Sequence, residues 1–87
     1  VGVDCEIIDY DFAPKIVGFS KRYFLENELN LLENSDYSPS VFFEIWTKKE
    51  AYIKKHGLNS SAITKVDTTL LEYDVLNTGE YIITIFK

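Results

Sequence analysis

The chain has 87 residues, 46% of them apolar and 26% charged, which suits one folded domain of residues 1–87 and excludes both a disordered tail and two independent cores. Fourteen acidic residues against nine Lys and Arg give a formal net charge of −5, so a general binder of nucleic-acid backbone is excluded for want of a basic face. Cys5 is the single cysteine, which rules out an internal disulfide and fits a reducing, cytoplasmic setting, and no apolar run approaches the ~20 residues of a membrane span.

Val1 to Ile8 alternates as a strand, with Val1, Val3 and Cys5 on one face and Gly2, Asp4 and Glu6 on the other. Cys5 lies in an apolar run with no histidine beside it, so a buried, inert thiol is expected. The chain opens directly on this strand, without an initiator Met, and is expected to be an excised piece or one half of a larger protein.

Helical spacing follows from about Ala13 to Tyr23, through Ile16, Val17, Phe19 and Tyr23, and again from Leu25 to Leu32. Asn34-Ser35-Asp36 reads as a loop. Ser38-Pro39 then opens the clearest element, a helix with Ser as N-cap and Pro at its first position. It runs through Phe42, Ile45, Trp46 and Ile53 to Lys54-Lys55-His56 and stops at Gly57, with the lysines complementing the helix dipole. Trp46 is expected to anchor the core and His56 to partner the helix C-terminus. Lys48, Lys49, Lys54 and Lys55, within eight positions, suggest a local cationic patch on an otherwise acidic chain.

From Ala62 onward the pattern turns to strand. Leu71, Tyr73 and Val75 alternate with Glu72 and Asp74, Asn77-Thr78-Gly79 is a turn, and Tyr81 to Phe86 returns as the second arm of a hairpin. An α+β domain is therefore expected, with an N-terminal strand, helices and a C-terminal antiparallel hairpin. Thirteen aromatics are more than so short a chain can bury, and an exposed apolar face for association is expected.

Asp4 and Glu6, two apart on a strand, project from one face, and a divalent cation would relieve their repulsion; a bare D-x-E pattern is more often simply solvated. Trp46, Glu50 and Lys54 follow at intervals of four along one helical stripe, where Glu50 and Lys54 alone would make an ordinary surface pair.

Taken together the wording is more specific. Val1-Gly2-Val3-Asp4-Cys5-Glu6 and, some forty residues later, Trp46-Thr47-Lys48-Lys49-Glu50-Ala51-Tyr52-Ile53-Lys54 resemble the two signature motifs of the 4'-phosphopantetheinyl transferase superfamily. Ser20-Lys21-Arg22-Tyr23-Phe24, with Glu28 after it, resembles the segment that bridges them. The first strand is closer to the surfactin-synthetase type, in which two similar halves form a pseudo-dimer, than to the trimeric holo-acyl-carrier-protein synthases; this chain would be the C-terminal half. The resemblance implies magnesium-dependent transfer of 4'-phosphopantetheine from coenzyme A to a serine of an acyl or peptidyl carrier protein. It implies Asp4, Glu6 and Glu50 as metal ligands, Glu50 also as the base for the serine, and Lys54 as the contact to coenzyme A phosphate. The stretch His56-Gly57-Leu58 is shorter than the family's glycine-rich loop, and nothing here matches the histidine and basic residues that hold the nucleotide end. The chain alone is therefore expected to be nearly inactive, and to pair with an N-terminal half or with a second copy. The rival from another class is a non-catalytic interaction domain that keeps the fold; a third reading is an unrelated magnesium enzyme.

Overall fold

The computed structural model describes all of residues 1–87. Its elements are β1 (Gly2–Ile7), α1 (Ile16–Tyr23), α2 (Glu26–Asn34), α3 (Pro39–His56), β2 (Asp74–Asn77) and β3 (Tyr81–Phe86), with 3-10 turns at Tyr10–Lys15, Ser60–Lys65 and Thr68–Leu70. The expected α+β order of strand, helices and terminal hairpin is what the chain adopts. The hairpin does not stand apart. It joins β1 in an antiparallel sheet of order β1-β3-β2, with Asp4 opposite Thr84 and Leu76 opposite Ile83.

The 18-residue α3 is the centre of the molecule because it is buried on two sides. Phe42, Ile45, Lys49 and Ile53, spaced three and four apart, form one buried stripe. Phe42 and Ile45 of this stripe build the core with Ile16, Phe24 and Leu32 from the other helical segments. Trp46 borders that core, edge-on to Phe19 at 5.3 Å, as an anchoring aromatic should.

The second buried stripe, Thr47 and Ala51, meets the sheet, and small residues line the crossing. A Cβ at Gly2 would collide with the Ala51 carbonyl oxygen and come within 2.8 Å of the Lys55 nitrogen. Strand and helix can approach this closely only because position 2 is glycine. Thr47 and Thr84, both fully buried, complete the seam through a hydroxyl pair at 2.8 Å.

The helix ends as the sequence predicts at its C-terminus, where Gly57 adopts φ 63° and its N–H returns to the Ile53 carbonyl. Two details differ. Ser38 occupies the N-cap, but its side chain caps nothing; its N–H donates to Ser35 Oγ at 3.3 Å. His56 lies against Tyr52, with ring centroids 4.5 Å apart, and near Phe86, rather than on the terminal carbonyls.

The strand expected from Ala62 is absent until Asp74. Asn59 and Asp67 each accept the backbone N–H two residues on, from Ser61 and Thr69, and these side-chain turns start 3-10 segments in place of extended chain.

The sheet's polarity is the reverse of the burial expected for Cys5. Gly2 and Asp4 of β1, with Ile82 and Thr84 of β3, face α3, whereas Val3, Cys5 and Ile7 face outward. Cys5 is an exposed thiol because its strand face has no layer over it.

Candidate functional site

The crossing of β1 over α3 decides where the charged side chains fall. Asp4 is the inward residue two beyond Gly2, and Lys54 lies one turn beyond the Ala51 contact, so the strand delivers a carboxylate to the helix's last turns. Lys54 Nζ donates to Asp4 Oδ1 at 2.7 Å. Asp4 is 5% exposed while the Lys54 side chain is 53% exposed, which makes a pair with one buried end and one solvated end. Asp4 Oδ2 is buried and has no hydrogen-bond partner. Lys54 therefore pairs across to the strand, and no ion pair forms to Glu50, the i−4 neighbour that sequence spacing offers.

Glu6 and Glu50 border the same cluster. Burial pushes the Glu6 carboxyl above the usual carboxylate range, and the charges of Asp4 and then Glu50 add to the rise, while Lys54 opposes it. Burial likewise raises Glu50, again reinforced by Asp4 and opposed by Lys54. Lys54 is raised in turn, first by its hydrogen bond to Asp4. Three carboxyl groups thus share one ammonium; burial is the main cause that lifts two of them, and the surplus of negative charge adds to it.

Such a donor set suits a hard dication, which favours carboxylate oxygen and removes the mutual repulsion. The orphaned Asp4 Oδ2 fits the same reading, as an acceptor built into a buried position with nothing to accept. Asp4, Glu6 and Glu50 border one cluster, but no three carboxylate, imidazole or thiolate side chains close into a ligating group. Lys54 occupies Asp4 Oδ1 in this arrangement.

The four clustered lysines do not form a patch. Lys48 faces Glu44 at 3.7 Å, Lys54 faces Asp4, and Lys55 lies over the Phe86 ring at 4.9 Å. Lys49 is fully buried against Glu28, with Nζ to Oε1 at 2.8 Å. Helical geometry sends consecutive lysines to different sides, and each finds its own partner.

Sequence reasoning passed over this buried pair. The signal was present, since Lys49 falls in register with Phe42, Ile45 and Ile53 on the core stripe of α3, where a lysine requires an acid. Glu28 supplies it, set one turn before the buried Leu32.

Comparison with known proteins agrees with the motif wording. The family model for the 4'-phosphopantetheinyl transferase superfamily matches residues 1–87. The 4'-phosphopantetheinyl transferase HetI of Nostoc sp. is 29% identical over 72 residues, covering 80% of this chain and 30% of its own length. The 4'-phosphopantetheinyl transferase ffp of Bacillus subtilis is 32% identical over 59 residues, covering 66% of this chain and 25% of its own length. The chain thus spans less than a third of either relative. No solved structure gives a significant match. With the family model spanning every residue, the chain belongs to the 4'-phosphopantetheinyl transferase superfamily.

Proposed function

We propose that this chain supplies the metal-binding half of a site that transfers 4'-phosphopantetheine from coenzyme A to a serine of an acyl or peptidyl carrier protein. The observation that carries the reading is the Asp4–Lys54 pair with Glu6 and Glu50 around it, three carboxyls and one ammonium at a strand–helix crossing. Asp4, Glu6 and Glu50 would hold magnesium. When bound, the ion would neutralise the pyrophosphate of coenzyme A and so lower the cost of charge developing in the transfer. Glu50 would accept the proton of the attacking serine, the part a positioned carboxylate plays in general base catalysis. Lys54, with its exposed ammonium, would exchange Asp4 Oδ1 for a phosphate oxygen. That exchange frees the carboxylate oxygen as the anionic substrate arrives.

The nucleotide end of coenzyme A and the rest of the active site would come from a second half, either an N-terminal partner half or another copy of this chain. The exposed Cys5 thiol suits the reducing interior of the cell.

The test is transfer of labelled phosphopantetheine from coenzyme A to several apo carrier proteins by the full-length protein, with and without magnesium. Transfer that requires magnesium is expected, with little from residues 1–87 alone. A full-length protein that modifies none of the carriers would instead identify a non-catalytic interaction domain with the transferase fold.

A further inference from the structure

Glu28 and Lys49 are both fully buried, and no proton or lone pair of theirs is idle. Lys49 Nζ donates to Glu28 Oε1 at 2.8 Å, to the Ile63 carbonyl at 2.8 Å and to the Val66 carbonyl at 2.7 Å. Glu28 Oε1 also accepts the Leu25 N–H at 2.9 Å, and Oε2 accepts both the N–H and the hydroxyl of Thr68, at 3.1 and 2.6 Å. The network ties the start of α2, the 3-10 segments at 60–70 and the middle of α3 into one unit. Asn27 adds a second tie from α2 to the same segments, donating to Asp67 Oδ2 at 2.9 Å.

Stability alone is a poor account of this arrangement, because well-packed apolar side chains commonly do as well as a buried ion pair. What charged hydrogen bonds add is direction. A smooth apolar contact lets a helix rotate about its axis, whereas three acceptors at fixed positions around Lys49 do not. Lys49 immediately precedes Glu50 in α3. A rotation of the helix by about 20° would carry a glutamate carboxylate about 2 Å around the axis, given the helix radius with side chains. An error of ~1 Å in a positioned group can cost on the order of 10² in rate.

We infer that Glu28 and Lys49 are positioning residues for Glu50, fixing the rotation of α3 so that the Glu50 carboxyl stays at the border of the cluster that Asp4, Glu6 and Lys54 form. Lys49 itself cannot serve as a phosphate contact, since it has no exposed surface and all three of its protons are engaged. The inference rests on the reading of Glu50 given under Proposed function.

The test uses the full-length protein with magnesium alone as the calorimetric probe, alongside kcat and KM for coenzyme A. Two variants carry it. The double variant Glu28→Gln/Lys49→Met removes both charges at nearly constant volume, and Glu28→Asp keeps both charges but shortens one arm, serving should the double variant not fold. Magnesium affinity is expected to weaken about 10–100-fold, the usual effect of losing the groups that orient a metal ligand. Turnover is expected to fall by ~10² with KM for coenzyme A nearly unchanged. A folded variant, held well below its melting midpoint, that keeps wild-type magnesium affinity and kcat would overturn the inference and leave a structural pair only. Wild-type protein that neither binds magnesium nor transfers phosphopantetheine would remove the reading of Glu50, and this inference with it.

Discussion

Lys54 joins the buried end of the cluster to its solvated end, and two consequences follow from that position. On the proposed mechanism its removal would take away the ammonium that meets developing phosphate charge, and loss of such a group costs ~10²–10³ in rate. It also leaves Asp4 buried with neither oxygen paired, a penalty of about 1–3 kcal/mol. Lys54→Ala in the full-length protein is therefore expected to lose turnover far out of proportion to a modest drop in melting temperature, measured by transfer assay and calorimetry on the same preparation. Unchanged transfer would remove Lys54 from the mechanism. Glu6 and Glu50 give a prediction of opposite sign. Both carboxyls are raised in the folded state, so the folded chain holds their protons more tightly than the unfolded one. Their contribution is complete below the ordinary carboxylate range and is lost as pH rises through the raised values. In metal-free protein, Glu6→Gln and Glu50→Gln should accordingly raise the melting temperature at pH 7, and that gain should vanish at pH 4. A gain that persists at pH 4 would mean that packing, not charge, is the cause.

At the scale of elements, the decisive contact is β1 against α3. Ala51 is fully buried and Gly2 buried, and their backbones meet where any side chain at position 2 would intrude. Gly2→Ala is expected to destabilise the chain by about 1–3 kcal/mol, the usual cost of overpacking, and to tilt β1 enough to separate Asp4 from Lys54. Chemical denaturation gives the first effect. A side-chain amine resonance of Lys54 that no longer reports Asp4 gives the second. Gly57→Ala is the control on the same helix. It strains a left-handed residue at φ 63° with open space around it, so stability should fall by about 1 kcal/mol while the Asp4–Lys54 pair stays intact.

For the whole molecule, the outer face of the sheet is its most conspicuous unfinished surface. Val3 is 45% exposed, Ile7 76%, Leu76 55% and Tyr81 39%, and the register sets Val3 beside Ile85, Leu76 beside Ile83 and Ile7 beside Tyr81. An apolar sheet face with no layer over it is normally an association surface. The chain spans less than a third of either relative, and a second half or a second copy is the cover we propose. Residues 1–87 by themselves should self-associate with rising concentration in sedimentation velocity, and Ile7→Lys with Leu76→Glu should return them to monomer without lowering the melting temperature. A wild-type chain that stays monomeric at high concentration would count against the proposal.

Much of this molecule was legible in the order of its residues. Helix α3 could be delimited at both ends because Pro39 and Gly57 act locally, and the terminal strand Tyr81–Phe86 because alternation and a glycine turn are local as well. Motif wording sufficed for the family, since Gly2, Asp4, Glu6, Glu50 and Lys54 stand at fixed spacings whatever surrounds them. The 3-10 segments were missed because Asn59 and Asp67 compete for backbone N–H groups that a strand would have used. Which face of β1 turns inward was equally beyond periodicity, because alternation separates two faces without saying which one finds a partner. Only the folded chain decided that Gly2 and Asp4 lie against α3 and Cys5 toward solvent, that Lys54 holds Asp4 rather than Glu50, and that Lys49 is buried on Glu28. Each of these turns on residues at least twenty positions apart, brought together by packing a strand and two helices around α3, and a spacing rule reaches no further than one element.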